Sequence, residues 1–188
     1  MNQRKQLLMP VLVPWQISPS VPYLRLQTLG ASAQATATFI GFYKSAARSP
    51  GQAGVSVVQD PGEFHLSDTA EGARHRLTRV LFEGAAHARQ LPAVSDAEVI
   101  KEDAFDWSLV PTGIQVGEAA EDAVRRVNDR WLSKGHCPDP AMYEVQSSNW
   151  LGSLGLDDTW HHYILLGHDD YVEVVARGWS WQPGQVVE

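Results

Sequence analysis

The hydrophobic positions alternate with polar ones at both ends of the chain and follow a helical spacing only in the middle. Val21 to Leu29 and Ala35 to Lys44 read as strands, the second rich in Thr36, Thr38, Phe39, Ile40, Phe42 and Tyr43. Val55 to Gln59 and Glu63 to Leu66 flank Asp60-Pro61-Gly62, the chemistry of a hairpin turn. Beyond a cap at Ser67 or Asp68, with Glu71 closing a capping box, apolar residues recur at Ala70, Ala73, Leu77, Val80, Leu81, Ala88 and Leu91. That spacing predicts a helix that weakens near Gly84. The competing pattern is a strand over Arg76 to Phe82, where Thr78, Val80 and Phe82 alternate.

Ser95 and Glu98 form a second capping box, ahead of a short helix with Ala97, Ile100, Ala104 and Trp107 on one side. A third helix is predicted from about Gly117 to Lys134. Its apolar stripe is Val116, Ala120, Val124, Val127 and Trp131. Its acidic residues gather at the N-terminal end and its basic ones at the C-terminal end, as the helix dipole favours. Glu121 with Arg125 and Asp122 with Arg126 are spaced as helix pairs, and Gly135 stops the helix. Met142 to Gln146 then reads as a strand, and Trp150 to Leu156 as a turn-rich connection. Trp160 to Leu166 and Tyr171 to Ala176 read as a hairpin around Gly167-His168-Asp169-Asp170.

Strands, then helices, then strands imply an α+β fold: a mostly antiparallel sheet, about three central helices and a C-terminal β-hairpin. The length of 188 residues fits one such domain. Residues 1–22 would form its extended N-terminal segment, because Pro10, Pro14, Pro19 and Pro22 forbid a helix there.

Composition changes this picture in three places. The single cysteine, Cys137, rules out an intrachain disulfide and asks for no oxidising compartment. The basic start followed by Leu7 to Trp15 is broken by Pro10 and Pro14, so it is a poor signal peptide. No run reaches the ~20 apolar residues of a membrane helix. The expectation is a cytoplasmic protein with no membrane partner. Charge is divided unevenly. Residues 1–94 hold nine Lys/Arg against five Asp/Glu, net +4, and residues 95–188 hold six against seventeen, net -11. The acidic half would repel nucleic acid and attract a basic protein. Acid that only aids solubility is the plainer alternative.

The chain lacks the phosphate-cradling glycine motifs, His-Glu-x-x-His, Gly-x-Ser-x-Gly and Cys-x-x-Cys. Four constellations remain. Asp157, Asp158, Trp160, Asp169, Asp170, Trp179 and Trp181 are the candidate partner-binding residues. Six of the seven tryptophans lie in the acidic half, and tryptophan favours binding hot spots as well as cores. Trp179 and Trp181 share a parity and would line one face of an extended chain. His136, Cys137, His161, His162, His168 and Asp169 are the candidate ligands for zinc or another divalent metal. Adjacent His161 and His162 would point to opposite faces of a strand. Cys137 beside His136 is a candidate catalytic thiol only if a base reaches it in space; otherwise it packs near Trp131. Arg74, His75, Arg76, Arg79 and Arg89 would fan over a solvated helix face, without the aromatic interleaving of a nucleic-acid surface.

The leading expectation is a small protein-binding module, of which an immunity-type inhibitor of a basic protein is one form, and no cofactor is expected. The alternatives are a metal-dependent hydrolase built on the histidine cluster and a structural or assembly subunit, the latter a homo-oligomer with tryptophans at its interface.

Overall fold

The computed structural model describes residues 5–30, 33–44, 73–95, 98–111 and 117–183. Two sheets pack face to face. The six-stranded sheet has the order β6 (His87–Pro92), β10 (Asp170–Ala176), β9 (His161–Leu166), β8 (Met142–Gln146), β1 (Gln6–Pro10) and β7 (Phe105–Asp106). All its pairings are antiparallel except β1 with β7. In the second sheet β11 (Gly178–Pro183) pairs with β5 (Ala73–Glu83), and β5 with β4 (Gln34–Lys44). The other edge of β4 is shared by β3 (Leu24–Leu29) and β2 (Trp15–Ile17).

The core lies between the sheets. Trp15, Ala35, Ala37, Phe39, Val80 and Phe82 from one meet Met142, Tyr163, Leu165, Val172, Val174 and Ala176 from the other. Sizes alternate across the pairings, with Ala35 opposite Phe82 and Ala37 opposite Val80. The small residues make room for their large partners, as close packing requires. Phe82 crosses to Tyr163 at 5.5 Å and Phe39 meets Trp15 at 4.9 Å. The proline-rich segment belongs to this core. Val11, Val13, Trp15 and Ile17 are buried at period two, and β1 and β2 place the segment in both sheets.

One ribbon joins the sheets. β5 with β11 continues into β6 with β10 around a corner at Gly84 and Arg177. Three residues on one strand, 84–86, face two on the other, 176–177. The extra residue makes a bulge, which bends a ribbon sharply. Gly84 takes φ +61, in the left-handed region open to glycine. Arg177 N–H donates to Glu83 O and Ala86 N–H to Val175 O, so the bend keeps its backbone bonded.

The α+β expectation is corrected to a β-rich two-sheet packing with two α-helices among the described residues. Residues 73–91 form β5 and β6, not a helix. Val80 and Phe82 face the core, while Leu77 and Leu81 are half-buried on the opposite face. A strand with apolar residues on both faces mimics helical spacing. Residues 98–107 hold only a 3-10 turn, Glu102–Ala104, before β7. Ile100, Ala104 and Trp107 nevertheless pack with Leu8, Tyr143 and Ile164 on the outer face of the six-stranded sheet. The 55–66 hairpin, the capping box at 67–71, Ala97 and Val116 lie outside the described residues.

The helix α1 spans Ala120–Lys134 and is closed by Gly135 at φ 68. It docks through Ala123 and Trp131, whose Nε1–H donates to Pro14 O and whose ring meets Phe42 at 5.9 Å. Val124 is 60% exposed, so the buried face is rotated from the expected stripe. Arg125 sits 3.2 Å from Asp122, and Arg126 sits 2.9 Å from Glu118. A second, unexpected helix, α2 (Asn149–Leu154), replaces the turn-rich connection. The strands expected at Met142–Gln146 and in the C-terminal hairpin are β8, β9 and β10. Among the described residues no helix is long and apolar enough to cross a membrane.

Candidate functional site

The end of the β9–β10 hairpin is built tightly. Gly167 N–H donates to Asp170 O at 2.8 Å. A Cβ on Gly167 would stand 2.7 Å from Asp170 Oδ1 and 2.9 Å from Asp170 O, so a side chain there would force the turn open. Ala93 N–H donates to Asp169 O at 2.8 Å and ties the hairpin to the segment after β6. Gln90 does the work of a missing strand. Its Nε2 donates to Leu24 O at 2.7 Å and to the Asp170 carboxylate, and its Oε1 accepts from Leu26 N–H at 3.0 Å.

Two open hollows flank this end. One, of about 410 Å³, is lined by Pro22, Gln90, Leu91, Pro92, Asp169 and Asp170. The other, of about 460 Å³, is lined by Pro92, Ala93, Ser95, Glu98, Val99, His168 and Asp169. They share Pro92 and Asp169. Among the described residues their charged lining is three carboxylates, with neither lysine nor arginine, and His168 Nδ1 lies against the Asp169 carboxylate. Low-dielectric walls beside such carboxylates strengthen their field.

The seven candidate partner-binding residues fall in three places. Asp169 and Asp170 line the hollows. Asp157, Asp158 and Trp160 lie at the other end of β9, roughly 20 Å away at ~3.3 Å per residue. There Thr159 Oγ–H and N–H donate to the Asp157 carboxylate and hold it below the usual range. Arg177 lies over the Trp160 ring at 4.8 Å. Trp179 and Trp181 do share one face of β11, and that face packs against the core, with Trp181 6.1 Å from Trp15.

The six candidate metal ligands do not converge, although neighbouring His168 and Asp169 touch. His136 is exposed. Cys137 is buried, its Sγ–H donates to Asp139 O, and burial pushes the thiol up to about 12. A thiol held protonated is neither a nucleophile nor a ready ligand. His161 Nδ1 meets Glu144 Oε1 at 2.9 Å, while His162 points to the opposite face of β9, as its parity requires. His168 stands at the hairpin end. Among the described residues no three His, Cys, Asp or Glu side chains are placed to hold one ion. The arginines expected on a helix face lie on strands, and Arg76 turns inward, 8% exposed, over the Tyr43 ring.

One polar cluster escaped the sequence reading. On the outer face of the six-stranded sheet, Ser148, His162 and Glu173 are all buried. Ser148 Oγ lies 2.8 Å from His162 Nδ1, and His162 Nε2 lies 3.3 Å from Glu173 Oε1, off the line of a full hydrogen bond. Arg89 Nε–H donates to Glu173 Oε2 at 2.5 Å, and the Arg89 guanidinium rests 4.2 Å over the Trp150 ring. Burial pushes the Glu173 carboxyl up, but His162 and Arg89 together outweigh it and hold the group below its ordinary value. The signal in the sequence was Glu173 itself, a charge inside Tyr171-Val172-Glu173-Val174-Val175. A charge in a buried strand needs a partner. Comparison with protein-family models, curated proteins and solved structures gives no match.

Proposed function

We propose that this protein is a binding module that receives a basic segment of a protein partner at the hairpin end, an immunity-type inhibitor being one form of it. The observation that carries the reading is the pair of hollows sharing Pro92 and Asp169, with Glu98, Asp169 and Asp170, among the described residues, as their charged lining besides His168. Proline, leucine and valine walls offer contact area to the stem of an arginine or lysine, and the carboxylates attract its head. The net charge of -11 on residues 95–188 would steer such a partner from a distance and make the encounter salt-sensitive.

The test uses a labelled decapeptide of alternating arginine and serine, titrated at low salt while backbone amide shifts are followed. The expected result is movement at Leu91, Ala93 and Asp169, and at least a tenfold loss of affinity in the Glu98→Gln, Asp169→Asn, Asp170→Asn triple variant. The Asp157→Asn, Asp158→Asn variant controls for charge alone. Equal losses in both variants would mean diffuse attraction and end the proposal.

A further inference from the structure

Ser148 sits where a short strand turns into a helix. β8 ends at Gln146, Ser147 takes φ 57 in the left-handed region, and α2 starts at Asn149. A non-glycine residue there carries backbone strain, which the surrounding structure must hold. The turn lays Ser148 against β9. Leu151 N–H donates to Ser148 Oγ at 3.2 Å, so the hydroxyl's own hydrogen is left for His162 Nδ1 at 2.8 Å. The ring hydrogen then belongs on Nε2, facing Glu173 Oε1 at 3.3 Å. The opposite tautomer would set a bare nitrogen lone pair against a carboxylate. Arg89 anchors the far oxygen of Glu173.

The order is therefore hydroxyl, imidazole, carboxylate, guanidinium, drawn from four separate stretches of chain. Capping α2 asks only for the bond from Leu151 to Ser148. An imidazole and a carboxylate buried behind that serine add a desolvation cost that a cap does not require. Exposure is 9% at Ser148, 2% at His162 and 7% at Glu173. All three groups are therefore buried, Ser148 keeping the largest of these small exposures, and the Trp150 ring meets the imidazole in a T-shaped contact at 5.1 Å. The loose Nε2 contact fits a resting site, since such bonds tighten when the imidazole becomes charged.

We infer that Ser148 is a nucleophile, with His162 as its base and Glu173 as the residue that orients the base, acting on acyl esters. The inference is independent of the acidic hollows. Ser148 Oγ would form a bond to the ester carbonyl carbon while its proton passes to His162 Nδ1. The imidazolium, facing Glu173, would return that proton to the departing alkoxide as the ester C–O bond breaks. Water would then repeat the sequence, releasing the acid and restoring the serine.

The experiment incubates the full chain with an alkyl fluorophosphonate, in which an Oγ–P bond forms as P–F breaks and fluoride leaves. Intact mass is followed by peptide mapping. The expected result is a single adduct on Ser148, absent in Ser148→Ala and His162→Gln and formed at least tenfold more slowly in Glu173→Gln. Circular dichroism confirms that each variant is folded. Ser148→Cys supplies a second readout that does not depend on the alanine variant. The thiol it introduces should react with iodoacetamide at least tenfold faster than buried Cys137. No adduct on the folded wild-type protein, or an adduct that His162→Gln leaves unchanged, would overturn the assignment. An introduced thiol as inert as that of Cys137 would overturn it as well.

Discussion

The two faces of the six-stranded sheet are made by the same strands and hold together differently. On the inner face β8, β9 and β10 present Met142, Tyr163, Leu165, Val172, Val174 and Ala176, an almost purely apolar surface. On the outer face they present Tyr143, His162, Ile164 and Glu173, with polar groups buried among the apolar ones. The inner face depends on volume and shape. The outer face depends on partners, because each buried polar group there leans on the next. Apolar burial tolerates exchange of similar volumes, whereas a polar chain fails when one member loses its mate.

Substitutions can set the two faces against each other. Phe82→Ala, on the opposing sheet, removes a fully buried ring that packs on Tyr163. It should cost about 3–5 kcal/mol in chemical denaturation, the largest single loss, and do so at any pH where the protein is folded. Glu173→Gln keeps the shape and removes the charge, and should cost about 1.5–3 kcal/mol at neutral pH. Its effect should depend on pH. The Glu173 carboxyl is held below its ordinary value when folded, so its stabilisation is present above the unfolded value and is lost as pH falls through the folded one. Wild-type and variant stabilities should converge as the medium is acidified below the usual carboxylate range, near pH ~4. A difference that stays constant with pH would mean that Glu173 acts by packing and would erase the contrast. The smallest effect, about 1–2 kcal/mol, is expected from Ser148→Ala, measured by thermal unfolding, because it removes the cap of a six-residue helix and the hydroxyl partner of buried His162.

The strands were legible where β-branched and aromatic residues ran between turn signals, whether one face was dry, as in β3, or both, as in β9 and β10. β3, β4, β8, β9 and β10 lie within a few residues of their expected limits, and Gly135 ends α1 as its position announced. β5 was legible only as the competing strand over Arg76 to Phe82, because Leu77 and Leu81 make its second face apolar too and supply a helical spacing beside the period of two. The stretch through Ile100, Ala104 and Trp107 has its inward side where the sequence put it, without the helix. Three apolar residues can cap a sheet as an irregular strap when Leu8, Tyr143 and Ile164 supply the surface beneath. Of the site residues, Asp169 and Asp170 could be paired from sequence because they are neighbours in a turn. The meeting of Ser148 with His162 and of Glu173 with Arg89 depends on the registers of β8 on β9 and of β10 on β6. Such distant pairings leave no local mark.

The corner at Gly84 and Arg177 carries a consequence for how the molecule comes apart. β5 and β11 belong to one sheet and β6 and β10 to the other, yet they form a single ladder folded once across its width. Peeling the sheets apart would have to tear that ladder along the crease. Loss of structure in either sheet is therefore transmitted to its neighbour through covalent backbone as well as side-chain packing, and the two layers should melt together as one cooperative unit.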